Sequence, residues 1–257
     1  MSVDHLLLEG YLKELRLLSF LKYYRPFAED AAQNKQSYQR FLLALAQQEA
    51  QDRDQRRQQQ RIRAAKFPVL KDLADFNFAA IPDLNQQRIF DLARGQYLTK
   101  AEPIILVGNP GLGKSHIATA LALEACRLKQ RVRFYNTAAL VNDLIAAQQT
   151  HTLDKFIALA LRHRLILLDE LGFIPFSSLG AQLIFQFCSA LYERVSMIVT
   201  TNLKFADWTH VFGDEKLTLA LIDRLTHRAH IIEFVGDSYR FRQRLDQHQQ
   251  EVSTQPT

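Results

Sequence analysis

The chain has 257 residues, of which 47% are hydrophobic and 23% charged, and its formal net charge is +5. This length accommodates one large domain, or a domain with a smaller module, around a sizeable core. No apolar run approaches the ~20 residues of a membrane-spanning helix, and the N-terminus lacks the features of a signal peptide. Cys126 and Cys188 stand outside any metal-binding pattern, so we expect reduced core thiols in a cytoplasmic protein.

A helical module is predicted for the first 66 residues. Apolar residues recur at helical spacing early in the chain, Pro26 is expected to interrupt them, and residues 37–66 predict a long helix that ends before Pro68. The early apolar stripe either packs inside this module or contacts another protein. Its members are Leu8, Tyr11, Leu12, Leu15, Leu18 and Leu21.

The positive charge is concentrated in one short segment of that long helix. Residues 53–66 read RDQRRQQQRIRAAK, with six basic residues and one acidic residue. On a helix, the arginines occupy roughly half of the circumference, and such a stripe can follow DNA phosphates without reading bases. The alternative is a solvated linker helix, which is what a charge run usually forms. The candidate DNA contacts are Arg53, Arg56, Arg57, Arg61 and Arg63.

From residue 103 onward, short apolar segments alternate with helical patterns. The predicted strands are PIILVG, RVRFYN, LILLDE, SMIVTTN and AHIIEF. Thr137 is the expected N-cap of the helix after the second strand, and an amphipathic helix is expected at about 83–94, ahead of the first strand. Apolar residues on both faces of the strands predict a parallel sheet that is covered by helices on both sides.

The segment VGNPGLGKSH, residues 107–116, joins the first of these strands to a helix. From Gly108 to Ser115 it matches the phosphate-binding pattern GxxxxGK[ST] at every position. Glycines let backbone N–H groups face phosphate oxygens, and the helix N-terminus adds partial positive charge. Lys114 would neutralise the β- and γ-phosphates, and Ser115 would offer its hydroxyl to Mg²⁺. The alternative, a turn that binds nothing, is disfavoured by the strand and helix on either side.

Two carboxylates follow the third predicted strand, in LILLDELG at residues 165–172. Asp169 is positioned to hold Mg²⁺, and Glu170 to polarise an attacking water as a general base. By itself the pair would more simply be two solvated acids, but a complete phosphate-binding loop precedes it. An activated water indicates hydrolysis, because a small-molecule kinase must keep water away from the γ-phosphate.

Further polar residues stand at the fourth strand end and in the last predicted helix. MIVTTN ends in Thr200, Thr201 and Asn202, and the Asn202 amide either orients the lytic water or simply caps the strand. Arg224 and Arg228 are four residues apart and are predicted to share one face of a helix. One of them, preferably Arg224, would reach a neighbouring subunit's nucleotide as an arginine finger, unless both are ordinary surface residues.

Taken in order, the segments GNPGLGKSH, LILLDELG, VTTN, DRLTHR and GDSYR resemble the IstB-like branch of AAA+ ATPases. These are helper ATPases encoded with an insertion-sequence transposase, and the DnaC helicase loader and the initiator DnaA are similar to them. RIRAAKFPVLKDLADFNF also looks like the linker of that branch. The resemblance covers about residues 5–245, and the linker with DRL and GDSYR is its more family-specific part.

This resemblance implies an α/β fold, the AAA+ P-loop αβα sandwich with a five-stranded parallel sheet in the order 5-1-4-3-2. A small all-α N-terminal module would occupy residues 1–66, the ATPase domain with its linker residues 67–248, and a disordered tail residues 249–257. Only 23 residues follow Phe234, so no C-terminal helical lid is expected.

The resemblance also implies roles for individual residues. Asp169 and Glu170 become Walker B, Asn202 becomes sensor 1, Arg224 becomes the arginine finger, and Arg240 would contact nucleotide or DNA. The Walker A residues expected to bind ATP are Gly108, Asn109, Pro110, Gly111, Leu112, Gly113, Lys114, Ser115 and His116.

The implied function is a DNA-stimulated ATPase that assists transposition. The ATP-bound protein would form homo-oligomers, rings or spirals, on duplex DNA with weak sequence preference, bend it, and hand the target site to the transposase. A DnaC-type helicase loader is the first alternative. A nucleotide-dependent scaffold without hydrolysis and a small-molecule kinase are further alternatives, and Glu170 argues against both.

Overall fold

The computed structural model describes residues 3–236. The chain divides into two compact units between Gln60 and Arg61, whereas the sequence patterns place the boundary at residue 66. Residues 237–257 lie outside the described residues. They include Arg240 and the predicted tail at 249–257, so the structure does not test the prediction that no C-terminal helical lid is present. Within residues 3–236, no helix is long and apolar enough to cross a membrane.

The first unit contains the helices α1, Val3–Glu14, and α2, Leu18–Gln33, and most of α3, Tyr38–Ala65. Its small core consists of Leu12, Tyr24 and Leu45 with partly buried neighbours such as Phe27. Pro26 lies inside α2, so the prediction that it interrupts the helical pattern was wrong. A proline inside a helix costs about 3 kcal/mol, and the packing of Tyr24 and Phe27 on either side of it offsets that cost.

The apolar stripe at residues 8–21 is only partly used inside this unit. Leu12 is buried and Leu21 packs against the small core. The exposed members are Leu8, Tyr11, Leu15 and Leu18. Packing within the unit therefore accounts for part of the stripe, and contact with another protein stays a prediction for the rest.

The second unit is a parallel sheet between two layers of helices. Its strands are β1 (Ile104–Gly108), β2 (Val132–Asn136), β3 (Leu165–Asp169), β4 (Ser196–Thr201) and β5 (His230–Phe234). Its helices are α4 (Gln86–Ala93), α5 (Gln96–Lys100), α6 (Lys114–Arg127), α7 (Thr137–Gln149), α8 (Leu153–Ala160), α9 (Ser178–Leu191), α10 (Trp208–Phe212) and α11 (Glu215–Thr226). Short 3-10 turns occur at Phe78–Ala80 and Phe205–Asp207.

The strands lie in the order β2-β3-β4-β1-β5, and each neighbouring pair is parallel. This confirms the predicted AAA+ order, read from the opposite edge. Successive residues of β1 face opposite layers: Ile104 and Leu106 enter one core and Ile105 the other. The continuous apolar runs of the sequence therefore reflect strands that are covered on both faces.

Two local features of the second unit differ from the sequence predictions. The N-cap of α7 is Asn136, whose Oδ1 accepts the N–H of Ala139 at 3.3 Å, and not Thr137. The Thr137 hydroxyl instead donates a hydrogen bond to the carbonyl oxygen of Asp169, the last residue of β3, at 2.7 Å. It therefore bonds to the neighbouring strand and does not cap the helix. The helices α5 and α10 were not predicted, because five residues are too few to display a helical period.

The two cysteines lie in the cores of this unit and are free. Burial raises the pKa of the Cys126 thiol to about 11 and that of the Cys188 thiol to about 12. Both thiols are therefore protonated at neutral pH and pack as small apolar groups.

Candidate functional site

The loop between β1 and α6 depends on glycine at both of its ends. Gly108 has a φ of +148° and Gly113 a φ of +82°, which side-chain-bearing residues rarely adopt. Space is also lacking: a Cβ at Gly108 would lie 2.2 Å from the carbonyl oxygen of Phe234, and one at Gly113 would lie 2.6 Å from the Phe76 ring. Backbone conformation and the close neighbours Phe234 and Phe76 therefore both require glycine at these two positions.

Lys114 and Ser115 begin α6, directly after this loop. Lys114 is 8% exposed, and its Nζ donates a hydrogen bond to the carbonyl oxygen of Asn109 at 2.8 Å. The Ser115 hydroxyl donates to Asp169 Oδ1 at 2.8 Å. The structure thus joins the serine of the predicted phosphate loop to the aspartate at the end of β3, two residues that are 54 positions apart in the chain.

Glu170 follows Asp169 in a left-handed backbone conformation. Its φ is +62°, and a non-glycine residue in such a conformation costs roughly 1–3 kcal/mol. Its carboxylate Oε2 accepts a hydrogen bond from Asn136 Nδ2 at 3.1 Å. The sequence reasoning missed Asn136, although the polar end of RVRFYN pointed to it: Asn136 pairs in register with Asp169 at the same edge of the sheet.

A cleft of about 520 Å³ opens above these strand ends, a volume in the range of small-molecule sites. Asn202 lies on its wall, just after β4. The predicted site residues that line the cleft are Pro110, Gly111, Leu112, Gly113, Lys114, Ser115, His116, Asp169, Glu170 and Asn202. One concave surface therefore brings together the predicted phosphate loop from Pro110 onward, both carboxylates and the Asn202 amide, while Gly108 and Asn109 are not among the described residues that line it.

Residues 68–81 form another wall of the same cleft, and their contribution was not predicted. Val69, Phe76, Asn77 and Ile81 line it. His116, which we assigned to nucleotide binding, also contacts this segment: its Nε2 lies 2.8 Å from the carbonyl oxygen of Asp72, and its ring meets Phe76 edge-on. The aromatic residues of DFNF were the available signal, because they stand in a linker where an exposed loop would be polar.

The arginine candidates occupy different places. Arg224 is in the last turn of α11, where one Nη donates to the carbonyl oxygen of Ala220 at 2.8 Å and the guanidinium lies 4.9 Å from the centre of the Phe185 ring. It is not among the described residues that line the cleft. Arg228 was wrongly predicted on the same helix, because α11 ends at Thr226 and Arg228 is in a turn with a φ of +57°.

The family model of the IstB-like ATP-binding proteins matches residues 10–247 of this chain. The chain belongs to the IstB-like family. The insertion sequence IS21 ATP-binding protein of Pseudomonas aeruginosa is 33% identical over 237 residues, which cover 92% of this chain and 89% of that protein. An insertion-sequence ATP-binding protein of Sinorhizobium fredii is 35% identical over 246 residues, which cover 95% of this chain and 83% of the relative.

Solved structures support the AAA+ fold of this IstB-like protein. The crystal structure of the DnaC helicase loader superposes with a TM-score of 0.50 at 22% identity, covering 67% of this chain and 98% of that one. The replication initiator DnaA bound to AMPPCP and single-stranded DNA superposes with a TM-score of 0.52 at 18% identity, covering 68% of this chain and 54% of that one. At these identities the likeness concerns the fold.

The donor atoms at the IstB-like site suit a magnesium nucleotide. Mg²⁺ prefers hard oxygen ligands, and it is held at such sites by one or two protein oxygens together with phosphates. The Ser115 hydroxyl and the Asp169 carboxylate are oxygen donors that already lie within hydrogen-bond distance of each other. The two residues therefore fit a Mg²⁺ ion bound together with a nucleotide.

The five arginines of the basic segment have different environments. Arg53 and Arg56 each form an ion pair with Glu49, at 2.8 and 3.3 Å. Burial acts to raise the pKa of Glu49, but hydrogen bonds from Ser19 and Arg53 hold it below its usual value. Arg61 donates to the carbonyl oxygen of Cys126 at 3.1 Å. Arg57 and Arg63 are exposed, so these two are the better placed for an external phosphate.

Proposed function

We propose that this protein is an ATP-hydrolysing helper of insertion-sequence transposition. With ATP it assembles as a homo-oligomer on duplex DNA, bends the DNA and stimulates its transposase, and hydrolysis regulates the assembly. The observation that carries the proposal is the cleft in which Ser115 contacts Asp169 beside Glu170, in a chain whose relatives are named as insertion-sequence ATP-binding proteins.

Nucleotide binding follows from the loop and from Lys114. Backbone N–H groups of residues 111–113 and the N-terminus of α6 would bind the phosphates, while Lys114 exchanges its bond to the Asn109 carbonyl for the β- and γ-phosphates. Phe76 and Ile81, on the linker wall, offer apolar surface to the adenine base.

Hydrolysis follows from the carboxylate beyond β3. Glu170 would accept a proton from a water molecule as its oxygen attacks the γ-phosphorus, and the bond between that phosphorus and the bridging oxygen of ADP would break. Asn202 would hold the water or the γ-phosphate by its side-chain amide. A Mg²⁺ ion held by Ser115 and Asp169 would neutralise charge on the phosphate oxygens.

Arg224 would act on the nucleotide of a neighbouring subunit. Because an arginine finger contributes roughly 10³–10⁵ in rate, we expect Arg224→Ala to reduce turnover by at least about 100-fold. Mixing Arg224→Ala with Glu170→Gln should restore part of the turnover, since mixed interfaces combine an intact base from one variant with an intact finger from the other. The measurement is phosphate release from each variant alone and from the mixture.

The control for this experiment is Arg228→Ala, which removes the second candidate in the turn after α11. We expect its turnover to stay near that of the parent protein. If the mixture gained no activity, a role between subunits would be refuted for Arg224. A large loss in Arg228→Ala alone would transfer the assignment to Arg228.

Duplex DNA would be bound mainly through phosphates. We expect affinity to fall steeply with salt, and Arg57→Ala or Arg63→Ala each to reduce the slope of log affinity against log salt by about one unit per protomer. Arg94→Ala, which removes an arginine of 70% side-chain exposure elsewhere, is the control and should leave the slope unchanged. Fluorescence anisotropy with random-sequence duplex measures this, and a salt-insensitive complex would exclude the phosphate stripe.

A helicase loader of the DnaC type is the second candidate, favoured by the likeness to the DnaC structure. That likeness supports the fold, whereas the insertion-sequence relatives exceed 30% identity over more than 90% of the chain. Electron microscopy with an ATP analogue separates the two functions. Ordered assemblies on random-sequence duplex support the transposition helper, and assembly on single-stranded DNA alone supports the loader.

A further inference from the structure

Thr200, the penultimate residue of β4, contacts three successive residues at the end of β3. Its hydroxyl donates to Asp169 Oδ1 at 2.6 Å and accepts the N–H of Glu170 at 2.9 Å. Its carbonyl oxygen accepts the N–H of Leu171 at 2.9 Å. Thr200 is 1% exposed, so these bonds are largely shielded from competition with solvent.

One hydroxyl group therefore serves both carboxylate residues of the site. A hydroxyl has a single proton and two lone pairs, so its donation to Asp169 leaves the oxygen able to accept the Glu170 N–H. The same Asp169 oxygen receives the Ser115 hydroxyl at 2.8 Å, and two donors orient the carboxylate. An O–H···O⁻ bond of 2.6 Å is in the short, charge-assisted class.

The bond to the Glu170 N–H also stabilises an uncommon backbone conformation. Glu170 has a φ of +62°, which turns the chain out of β3 and sets the direction of the Glu170 side chain. Because its N–H is held by the hydroxyl that orients Asp169, the positions of the two carboxylates depend on the same atom.

A buried hydroxyl at the other end of β4 provides a comparison. Ser196 is fully buried, and its hydroxyl donates to the carbonyl oxygen of Tyr97 at 3.2 Å. Tyr97 belongs to α5, and Ser196 is not among the described residues that line the cleft. Thr200 differs in two respects. It lines the cleft, and its hydroxyl bonds to Asp169 and Glu170, which are both residues of the candidate site.

We propose that Thr200 is a positioning residue for ATP hydrolysis, an inference that rests on the proposed function. Its hydroxyl orients the Asp169 carboxylate relative to Glu170. It therefore governs turnover and the response to Mg²⁺ more than it governs affinity for the nucleotide itself.

The test compares Thr200→Val, which keeps the shape and removes the hydroxyl, with Thr200→Ser, which keeps the hydroxyl. We expect Thr200→Val to lower kcat by about tenfold or more with KM changed by less than about threefold, because misplaced groups impair the chemical step. Thr200→Ser should stay within about threefold of the parent kcat. Affinity for a non-hydrolysable ATP analogue should gain less from Mg²⁺ in Thr200→Val than in the parent and in Thr200→Ser.

Ser196→Ala is the matched control, since it removes a buried hydroxyl from the same strand. It should keep the parent's kcat and Mg²⁺ response, even where thermal unfolding shows a loss of stability. If Thr200→Val does not fold, Thr200→Ala also lacks the hydroxyl and takes its place.

The outcomes separate this inference from the proposed function. A parent protein that did not hydrolyse ATP would refute the hydrolysis, while a reduced Mg²⁺ gain in Thr200→Val would still support the role of Thr200. A parental kcat and a parental Mg²⁺ gain in Thr200→Val would overturn the inference. It would also be overturned if Thr200→Ser were as impaired as Thr200→Val.

Discussion

Lys114→Ala should abolish ATP turnover and, with it, the coating of duplex DNA. The lysine is 8% exposed at the N-terminus of α6 and lines the cleft, so its charge acts where little water screens it. Removing one preorganised hydrogen-bond donor from the charge that develops in a transition state costs about 10²–10³ in rate, and we expect a loss of at least that size for a charged donor. Binding of a fluorescent ATP analogue, phosphate release and electron microscopy with duplex measure the three consequences.

Lys100→Ala is the matched control for this variant. It removes the same charge from a side chain that is 71% exposed and forms a 3.8 Å ion pair with Glu102. Lys100 is not among the described residues that line the cleft. We expect its turnover to equal that of the parent. Parental DNA coating and parental turnover in Lys114→Ala would remove the basis of the proposed function.

Glu170→Gln should bind ATP and assemble on DNA, but fail to hydrolyse. Glutamine keeps the shape of the side chain and an oxygen that can accept the Asn136 amide, whereas it cannot take a proton from water. General bases contribute typically 10²–10⁴ in rate, so turnover should fall by at least about 100-fold with little change in ATP affinity. Because the nucleotide persists, complexes with DNA should dissociate more slowly, which single-turnover kinetics and a DNA-release assay would detect.

Glu102→Gln is the corresponding control, since Glu102 accepts a hydrogen bond from His230 at 3.0 Å and glutamine also offers an acceptor. It should keep parental turnover and parental release of DNA. Unchanged turnover in Glu170→Gln would exclude Glu170 as the base. Loss of ATP binding in that variant would show a role in the affinity for nucleotide instead.

The parallel sheet was predictable because each of its strands corresponds to a short apolar run in the sequence. Ile104, Ile105 and Leu106 are all fully buried, and a strand covered on both faces has no polar positions to interrupt it. The resemblance to the IstB-like branch then supplied the strand order, which the structure confirms. By contrast, periodicity did not reveal that α2 continues through Pro26, because Tyr24 and Phe27 of α2 pack in one core with residues of α1 and α3 that are distant in the sequence.

The contacts inside the site were less predictable than its members. Gly113 and Lys114 belong to a contiguous pattern, so their roles are local. By contrast, the site acquires Asn136, Thr200 and Phe76 only when segments that are distant in the sequence pack together in the fold. Thr200 was recognised as a polar strand end, but its bonds to Asp169 and Glu170 depend on β4 lying beside β3.

The amino-acid sequence by itself determined the alternation of strands and helices, the phosphate loop and the carboxylate pair, because each depends on neighbouring residues. Only the tertiary structure decided which strand ends are adjacent, that Ser115 and Thr200 share one oxygen of Asp169, and that residues 68–81 wall the cleft. The physical reason is that hydrogen bonds and side-chain packing act over a few ångströms in space, and residues far apart in sequence reach that distance only after the chain has folded.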